Sequence, residues 1–152
     1  MKKKETIEVL NSLITINNDR IEGYETASKE TDEQYLKILF GQFTTTSRKC
    51  KQELINEINN LGGEVAQGTL TSGKFFRVWM DVKAALTDKD HKTILNSCEY
   101  GEEVAVDTYE KVLKNDLSHL SSRQQSIISE QHQLIKSDQD KIKSMREILE
   151  EA

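Results

Sequence analysis

Proline is absent from this chain of 152 residues, and glycine occurs only 7 times. Because both residues interrupt helices, their scarcity favours long uninterrupted helices over sheets. Glu, Lys, Leu, Ile and Gln are common, which is the composition of helical bundles. A chain of this length can bury a sizeable core, so we expect residues 1–152 to form a single all-α domain.

Other features that are scarce exclude whole classes of protein. No apolar run approaches the roughly 20 residues of a membrane-spanning helix, and Lys2 to Lys4 lead into polar residues rather than an apolar signal core. The 26 acidic and 21 basic residues are interspersed, with a net charge of -5, and form no nucleic-acid surface. Cys50 and Cys98 match no zinc or redox motif and are interpreted as reduced core residues. We therefore expect a cytoplasmic protein that binds neither nucleic acid nor membrane.

Apolar residues recur every three and four positions in four long segments and one shorter segment. The predicted helices span residues 4–29, 32–61, 72–86, 90–115 and 122–150. Thr31 to Gln34 and Ser121 to Gln124 are capping-box patterns, and Gly62-Gly63 offers the left-handed geometry that ends the second helix. The pattern predicts two helical hairpins joined by a helical crossover.

One carboxylate interrupts the apolar seam of the third long helix. This seam consists of Leu95, Cys98, Glu102, Ala105, Tyr109 and Val112. A carboxylate inside a bundle is costly unless it is paired, protonated or bound to a metal. The other three seams also carry polar residues near their middles. The predicted polar core layer contains Asn17, Ser47, Glu102 and Gln131, with Asp138 one heptad step further on. Such a layer fixes register, so Glu102→Leu should hold or raise stability, whereas Asn17→Leu should lower it by leaving the carboxylate unpaired.

The two hairpins share a spacing that suggests an internal repeat. Asn17 lies seven residues before Tyr24, as Glu102 does before Tyr109, and a glutamate follows each tyrosine. We interpret Tyr24 and Tyr109 as matching points of a pseudo-repeat.

A di-metal carboxylate site is the sharper alternative for Glu102. Such sites take one Glu from each of two helices and Glu-x-x-His from each of two others. The candidate metal ligands are Glu53, Glu102, Glu103 and Glu130. However, Asn56 and Gln133 stand where the two imidazoles belong. We therefore expect no cofactor, with an iron or manganese di-metal site as the alternative.

No catalytic residue is assigned. His91, His119 and His132 have no acid, nucleophile or second ligand at a suitable spacing, so we interpret them as exposed titrating side chains.

The predicted crossover helix has a strongly apolar stripe that includes Phe75 and Trp79. In one interpretation these rings cover the bundle's own core. In the other they anchor a second subunit, which makes the protein a homodimer.

Three segments carry a resemblance to a known family. They are Gly62-Gly63, the crossover Phe76-Arg77-Val78-Trp79-Met80-Asp81-Val82-Lys83-Ala84-Ala85-Leu86, and Gly101-Glu102 leading to Tyr109. With them the chain resembles, over nearly its entire length, a bacterial family of ferritin-like four-helix-bundle proteins catalogued as a domain of unknown function. The resemblance implies a ferritin-like antiparallel four-helix bundle with an added crossover helix between helices 2 and 3. A histidine commonly precedes Arg-x-Trp in that family, whereas this chain has Phe76.

Two classes of function follow from these residues. The first is a non-enzymatic cytoplasmic bundle, dimeric, that acts as a binding or stress-associated interaction module for a protein or small-molecule partner. The second is a degenerate ferritin-like metal protein, an oxidase or a metal store, that uses the bundle carboxylates.

Overall fold

The computed structural model describes residues 3–68, 84 and 90–151, and within these ranges four long α-helices pack into a bundle. The helices are α1 (Lys3–Glu30), α2 (Gln34–Asn60), α3 (His91–Asn115) and α4 (Ser122–Glu151), with a 3-10 turn at Leu117–His119. The predicted all-α four-helix bundle is confirmed, and each of these helices begins and ends within two residues of its predicted bounds. The predicted helix at 72–86 lies outside the described residues, apart from residue 84.

Every neighbouring pair of helices is antiparallel. α1 packs mainly on α2 and α3 mainly on α4, which makes two hairpins, while α1 also contacts α3 and α2 contacts α4. Across the α1–α3 contact, Tyr24 meets Glu102 and Asn17 meets Tyr109, so the chain direction reverses between these helices. α2 and α3 consequently run the same way. The end of α2 and the start of α3 therefore lie at opposite ends of the bundle.

Helix ends follow the sequence signals in one place and depart from them in another. The Ser121 backbone N–H donates to the Gln124 side chain (2.9 Å) and the Gln124 N–H donates to the Ser121 hydroxyl (3.1 Å), which confirms the second capping box. The predicted first box is wrong, because Glu33 is the N-cap of α2 and has no side-chain capping bond. The Thr31 hydroxyl instead accepts from the Glu33 N–H, within the turn that precedes the helix.

Gly62 ends α2 in the left-handed conformation, with φ of 73°. We expect Gly62→Ala to lower the free energy of unfolding by about 1 kcal/mol, because a Cβ is strained at this φ. Gly41 is the matched control, since it lies in α2 with no atom within 4 Å of an added Cβ. Gly41→Ala should raise stability by about 0.5–1 kcal/mol. Urea unfolding of both variants checks the pair, and equal effects would contradict the assigned geometry at Gly62.

α1 is the most enclosed helix of the bundle. Five consecutive residues, 16–20, are buried, although a helix that packs on one side buries only one stripe. Part of the cover comes from the segment after α2. Asn11 donates to the Glu64 carbonyl and accepts from the Ala66 N–H, and Asn18 donates to the Gly68 carbonyl. This enclosure places the whole middle of α1 in the interior.

The apolar core is divided into two clusters, with polar side chains between them. One cluster contains Leu10, Leu13, Ile14, Ile16, Leu54, Ile58, Ala105, Val106, Tyr109, Val112, Leu120, Ile128 and Ile135. The other contains Tyr24, Ala27, Leu36, Leu39, Phe40, Phe43, Ile94, Leu95, Cys98 and Ile142. The candidate functional site lies where the two clusters meet.

Candidate functional site

Arg20 lies at the centre of the bundle and contacts all three other helices. Its Nε and Nη2 donate to the two carboxylate oxygens of Glu102 on α3, at 3.0 and 2.7 Å. Nη1 donates to the Ser47 hydroxyl of α2 at 2.5 Å, and Nη2 also donates to Asp138 of α4 at 3.1 Å. Arg20 and Glu102 are each 1% exposed. A bidentate pair of this kind is the strongest geometry for a guanidinium and a carboxylate.

The surroundings of this pair complete its hydrogen bonding. The Tyr24 hydroxyl donates to Glu102 at 2.5 Å, so this carboxylate accepts three hydrogen bonds from its own chain. The Arg20 guanidinium carbon also lies 5.6 Å from the centre of the Tyr24 ring, a cation–π distance. We name Arg20, Tyr24, Ser47, Glu102 and Asp138 the ion-pair network. Since it contains one cation and two carboxylates, it holds an excess negative charge when both are ionised.

A second network, without a buried cation, lies next to it along the bundle axis. The Asn17 side chain donates to the Tyr109 hydroxyl at 2.8 Å, and that hydroxyl donates to Gln131 at 2.7 Å. Gln131 then donates to the Cys50 carbonyl at 3.1 Å and to Glu53 at 3.0 Å. Apart from Glu53, which is half-buried, these groups are fully enclosed. This second chain of hydrogen bonds ties α1, α2, α3 and α4 together without a buried ion pair.

The predicted polar core layer is therefore divided between two networks. All four of its members are buried, but Ser47 and Glu102 meet through Arg20, whereas Asn17 and Gln131 meet through Tyr109. The expectation that Asn17 is the partner of the Glu102 carboxylate is corrected, because Arg20 occupies that role. The expectation that Glu102→Leu holds or raises stability is corrected as well, because this substitution would leave Arg20 as a buried cation.

The two networks are arranged with an internal pseudo-two-fold relation. Tyr24 of α1 donates to Glu102 of α3, and Asn17 of α1 donates to the Tyr109 hydroxyl of α3. Each tyrosine therefore bonds to the residue that lies seven positions before the other tyrosine. Equivalent residues are separated by 85 positions, as in the pairs Asn17 and Glu102, Tyr24 and Tyr109, Thr46 and Gln131, and Glu53 and Asp138. Gln131 bonds to Glu53, and the Thr46 side chain lowers the pKa of Asp138. These contacts support the predicted pseudo-repeat.

Sequence reasoning missed Arg20, although the repeat carries one signal for it. Leu10-Asn11-Ser12 recurs as Leu95-Asn96-Ser97 at the same separation of 85 residues. In that alignment Arg20 matches Ala105, a buried core position. A charged residue aligned with a core alanine points to a buried charge, which needs a partner of opposite sign.

The candidate metal ligands are not brought together. Glu102 is held by Arg20, Glu53 accepts from Gln131, and Glu103 and Glu130 are exposed. Across the described ranges, no three His, Cys, Asp or Glu side chains are grouped so that they could hold a metal ion. Of the four candidates, Glu102 thus contacts a guanidinium and Glu53 an amide.

Burial keeps the reactive groups of the interior in their protonated forms. It raises the pKa of Tyr24 and Tyr109 well above the ordinary value for tyrosine. It also raises the pKa of the Cys50 thiol to about 12, and that of the Cys98 thiol well above its usual range. Both cysteines are free and buried. Neutral phenols and thiols are poor nucleophiles, so they pack and donate hydrogen bonds.

The histidines lie towards the outside of the bundle. The ring of His91 contacts the Tyr35 hydroxyl at 2.9 Å, and that of His132 contacts Glu110 at 3.0 Å. His91, His132 and His119, the last in the 3-10 turn, are all half-buried, so the expectation that they are exposed is corrected. The predicted interface residues Phe75 and Trp79 lie outside the described residues.

Asp138 allows the charge balance of the network to be tested. Burial raises the pKa of Asp138, although Arg20 opposes this. A carboxyl with a raised pKa takes up its proton in the folded state first, so its stabilising contribution is present at low pH and is lost as the pH rises through that pKa. We expect Asp138→Asn to be more stable than the parent by about 1 kcal/mol at pH 7. The difference should shrink towards pH 4.

Urea unfolding followed by circular dichroism between pH 4 and 8 measures this difference. Asp107→Asn is the matched control, because Asp107 is exposed on α3 and should show little effect. A variant at Asp138 that is less stable than the parent at pH 7 and equal to it in acid would contradict the expected sign.

Fold and site together define a four-helix bundle whose halves are joined by a buried arginine–carboxylate network. The chain belongs to the family described as domain of unknown function DUF2383, whose model matches residues 5–115. The match covers all of α2 and α3 and all but the first two residues of α1, and it ends where α3 ends. A comparison with curated proteins finds no match. Among the described helices none is long and apolar enough to cross a membrane.

Proposed function

We propose that this chain is a non-enzymatic interaction module, in which a fixed interior holds the helices in register and the outer surface binds a partner. The observation that carries the proposal is the state of Glu102. Its carboxylate is 1% exposed and accepts three hydrogen bonds from Arg20 and Tyr24. A metal-binding or catalytic carboxylate needs an oxygen directed at a ligand, whereas both oxygens of Glu102 are directed at its own chain.

The charges of the interior support the same conclusion. Burial alone would lower the pKa of Arg20, but Glu102, Tyr24 and Asp138 raise it overall, so the guanidinium remains charged. That cation lies between the two carboxylates and repels a metal ion from their neighbourhood. The nearby tyrosines and cysteines are held neutral by burial. The interior therefore acts as a structural core that sets the relative positions of the four helices.

Several finer features belong to the same proposal. A ferritin-like arrangement is supported by four antiparallel neighbour contacts together with one long connection at residues 61–90. A cytoplasmic location is supported by two free cysteines, which reducing compartments preserve. A homodimeric state and an association with stress conditions stay predictions from the sequence.

Metal analysis tests the proposal against its alternative. The full chain is purified without chelator, and its iron and manganese contents are measured by mass spectrometry, before and after incubation with either divalent ion in anaerobic buffer. We expect less than stoichiometric metal in both cases. Stoichiometric iron or manganese that is lost in Glu102→Gln, and retained in the exposed neighbour control Glu103→Gln, would overturn the proposal and identify a carboxylate metal protein.

A further inference from the structure

One outer face of the bundle combines a groove with exposed apolar side chains. The groove runs between α2 and α4 and has a volume of about 420 Å³. Its lining includes the apolar side chains of Leu39 and Met145, beside the uncharged polar side chains of Gln42, Ser137 and Ser144. We name this surface the α2–α4 face. Uncharged polar groups around an apolar centre are typical of a protein interface.

The rim of the groove carries the two most exposed large apolar side chains of the described ranges. Ile148 is 65% exposed and Ile38 is 54% exposed. Ile38 lies one helical turn from Gln42, and Ile148 lies one turn from Ser144, so both isoleucines extend the face that the groove begins. Leu134 lies three residues before Ser137 and lengthens the same side of α4. Clustered apolar residues on the surface mark a binding site more often than scattered ones do.

The charges of this face are balanced. The groove lining contains one acidic and one basic residue, Asp140 and Lys141. They are adjacent on α4 and both are exposed. A surface that binds a strongly charged partner carries mostly one sign, whereas this surface is neutral and carries both signs side by side.

We infer that the α2–α4 face binds a second copy of this chain across a two-fold axis. The inference rests on the proposed interaction function and names its partner. In a two-fold interface the same patch meets itself, so each charge needs the opposite charge near the axis. With the axis over the groove, Lys141 meets Asp140 of the partner subunit, and the reciprocal pair forms on the other side. Ile38 and Ile148 are then withdrawn from water.

Charge reversal at the two positions tests this arrangement with the full chain. Mass is measured by sedimentation equilibrium over a range of protein concentrations. Asp140→Lys leaves two cationic positions facing each other, and Lys141→Asp leaves two anionic ones. We expect either variant to weaken self-association at least about tenfold, because symmetry turns both attractive pairs into repulsive ones. Ile148→Asp should weaken it as well, by placing a charge in the apolar rim.

Mixing the two charge variants tests whether the two charges face each other across the axis. An equimolar mixture of Asp140→Lys and Lys141→Asp should regain the parental dimer mass, since both pairs are attractive again in the mixed dimer. Asp107→Lys changes an exposed residue of α3, and as the control it should dimerise like the parent. Circular dichroism confirms that all the variants remain helical.

The possible results separate this inference from the proposed function. A parent chain that is monomeric at all concentrations, or a dimer unaffected by all three changes on the face, would overturn the inference about the second copy. Failure of the mixture to associate would also overturn it. The iron and manganese measurement does not depend on self-association. Only stoichiometric metal in that measurement would overturn the non-enzymatic assignment.

Discussion

Glu102→Leu should lower the free energy of unfolding by about 3–5 kcal/mol, the cost of removing one partner from a buried ion pair. The reason is the cation that remains. Arg20 would keep only Ser47 and the longer contact to Asp138, at 2.5 and 3.1 Å, while its Nε would lose its acceptor. Tyr24 would lose its acceptor too. For a domain of this size the loss corresponds to a decrease in melting temperature of roughly 6–20 °C.

The neighbouring residue supplies the control for this prediction. Glu103 lies next to Glu102 in α3 but is exposed. Glu103→Leu should therefore change stability by no more than about 0.5 kcal/mol. Thermal and urea unfolding of the two variants compare the same chemical change inside and outside the bundle. Equal effects would show that the carboxylate of Glu102 is not buried against Arg20.

Arg20→Met should cost about as much, roughly 3–5 kcal/mol at pH 7, because two carboxylates then stay in the interior without their cation. Methionine keeps much of the side-chain length, so the loss reports charge more than volume. Burial already raises the pKa of Glu102 and of Asp138, and Arg20 opposes this rise. Without Arg20 both pKa values should rise further. The defect should then diminish as the pH falls and the folded state takes up protons before the unfolded chain does.

Arg48→Met is the matched control for that substitution. The side chain of Arg48 is 60% exposed, and it pairs with Glu25 at the surface. Exposed ion pairs of this kind contribute between 0 and about 1 kcal/mol. Urea unfolding at pH 7 and pH 5 should show a large, pH-dependent defect for Arg20→Met and a small one for Arg48→Met. A defect at Arg20 that grows in acid would contradict the assigned role.

The fold could be predicted from the sequence because its signals are local and repeated. Apolar residues at steps of three and four mark each seam, and Gly62 marks the end of α2 through its left-handed conformation. The capping pattern at Ser121 was equally informative, since both of its hydrogen bonds lie within four residues. At Thr31 the same pattern failed, because two more turn residues separate it from the helix.

The sequence predicts the acidic members of the ion-pair network but not its cation. Glu102 stood out as a carboxylate on an apolar seam, and the seams also indicated burial of Ser47 and Asp138. Arg20 was missed because it lies off the predicted seam of α1, which passes through Asn17, Ile21 and Tyr24. In the structure Ile21 is only half-buried, while Arg20 is enclosed. Helix α1 is covered on more than one side, and a single stripe of apolar residues cannot report that.

Missing Arg20 also affected the functional hypotheses. A buried carboxylate without a counter-ion is a candidate metal ligand. For this reason the sequence predicts four glutamates as possible ligands. With Arg20 in place the carboxylate has its counter-ion within its own chain. The chemical question about Glu102 thus becomes a question about stability and helix register.

A double-mutant cycle between Arg20 and Glu102 tests the central claim most directly. It is best carried out with Asp138→Asn as the parent, because Asp138 shares the same guanidinium and would otherwise remain as an unpaired charge. We expect Arg20→Met and Glu102→Leu each to cost about 3–5 kcal/mol, and the variant with both changes to recover at least half of the summed loss. Losses that simply add would contradict a buried, mutually dependent ion pair at the centre of this bundle.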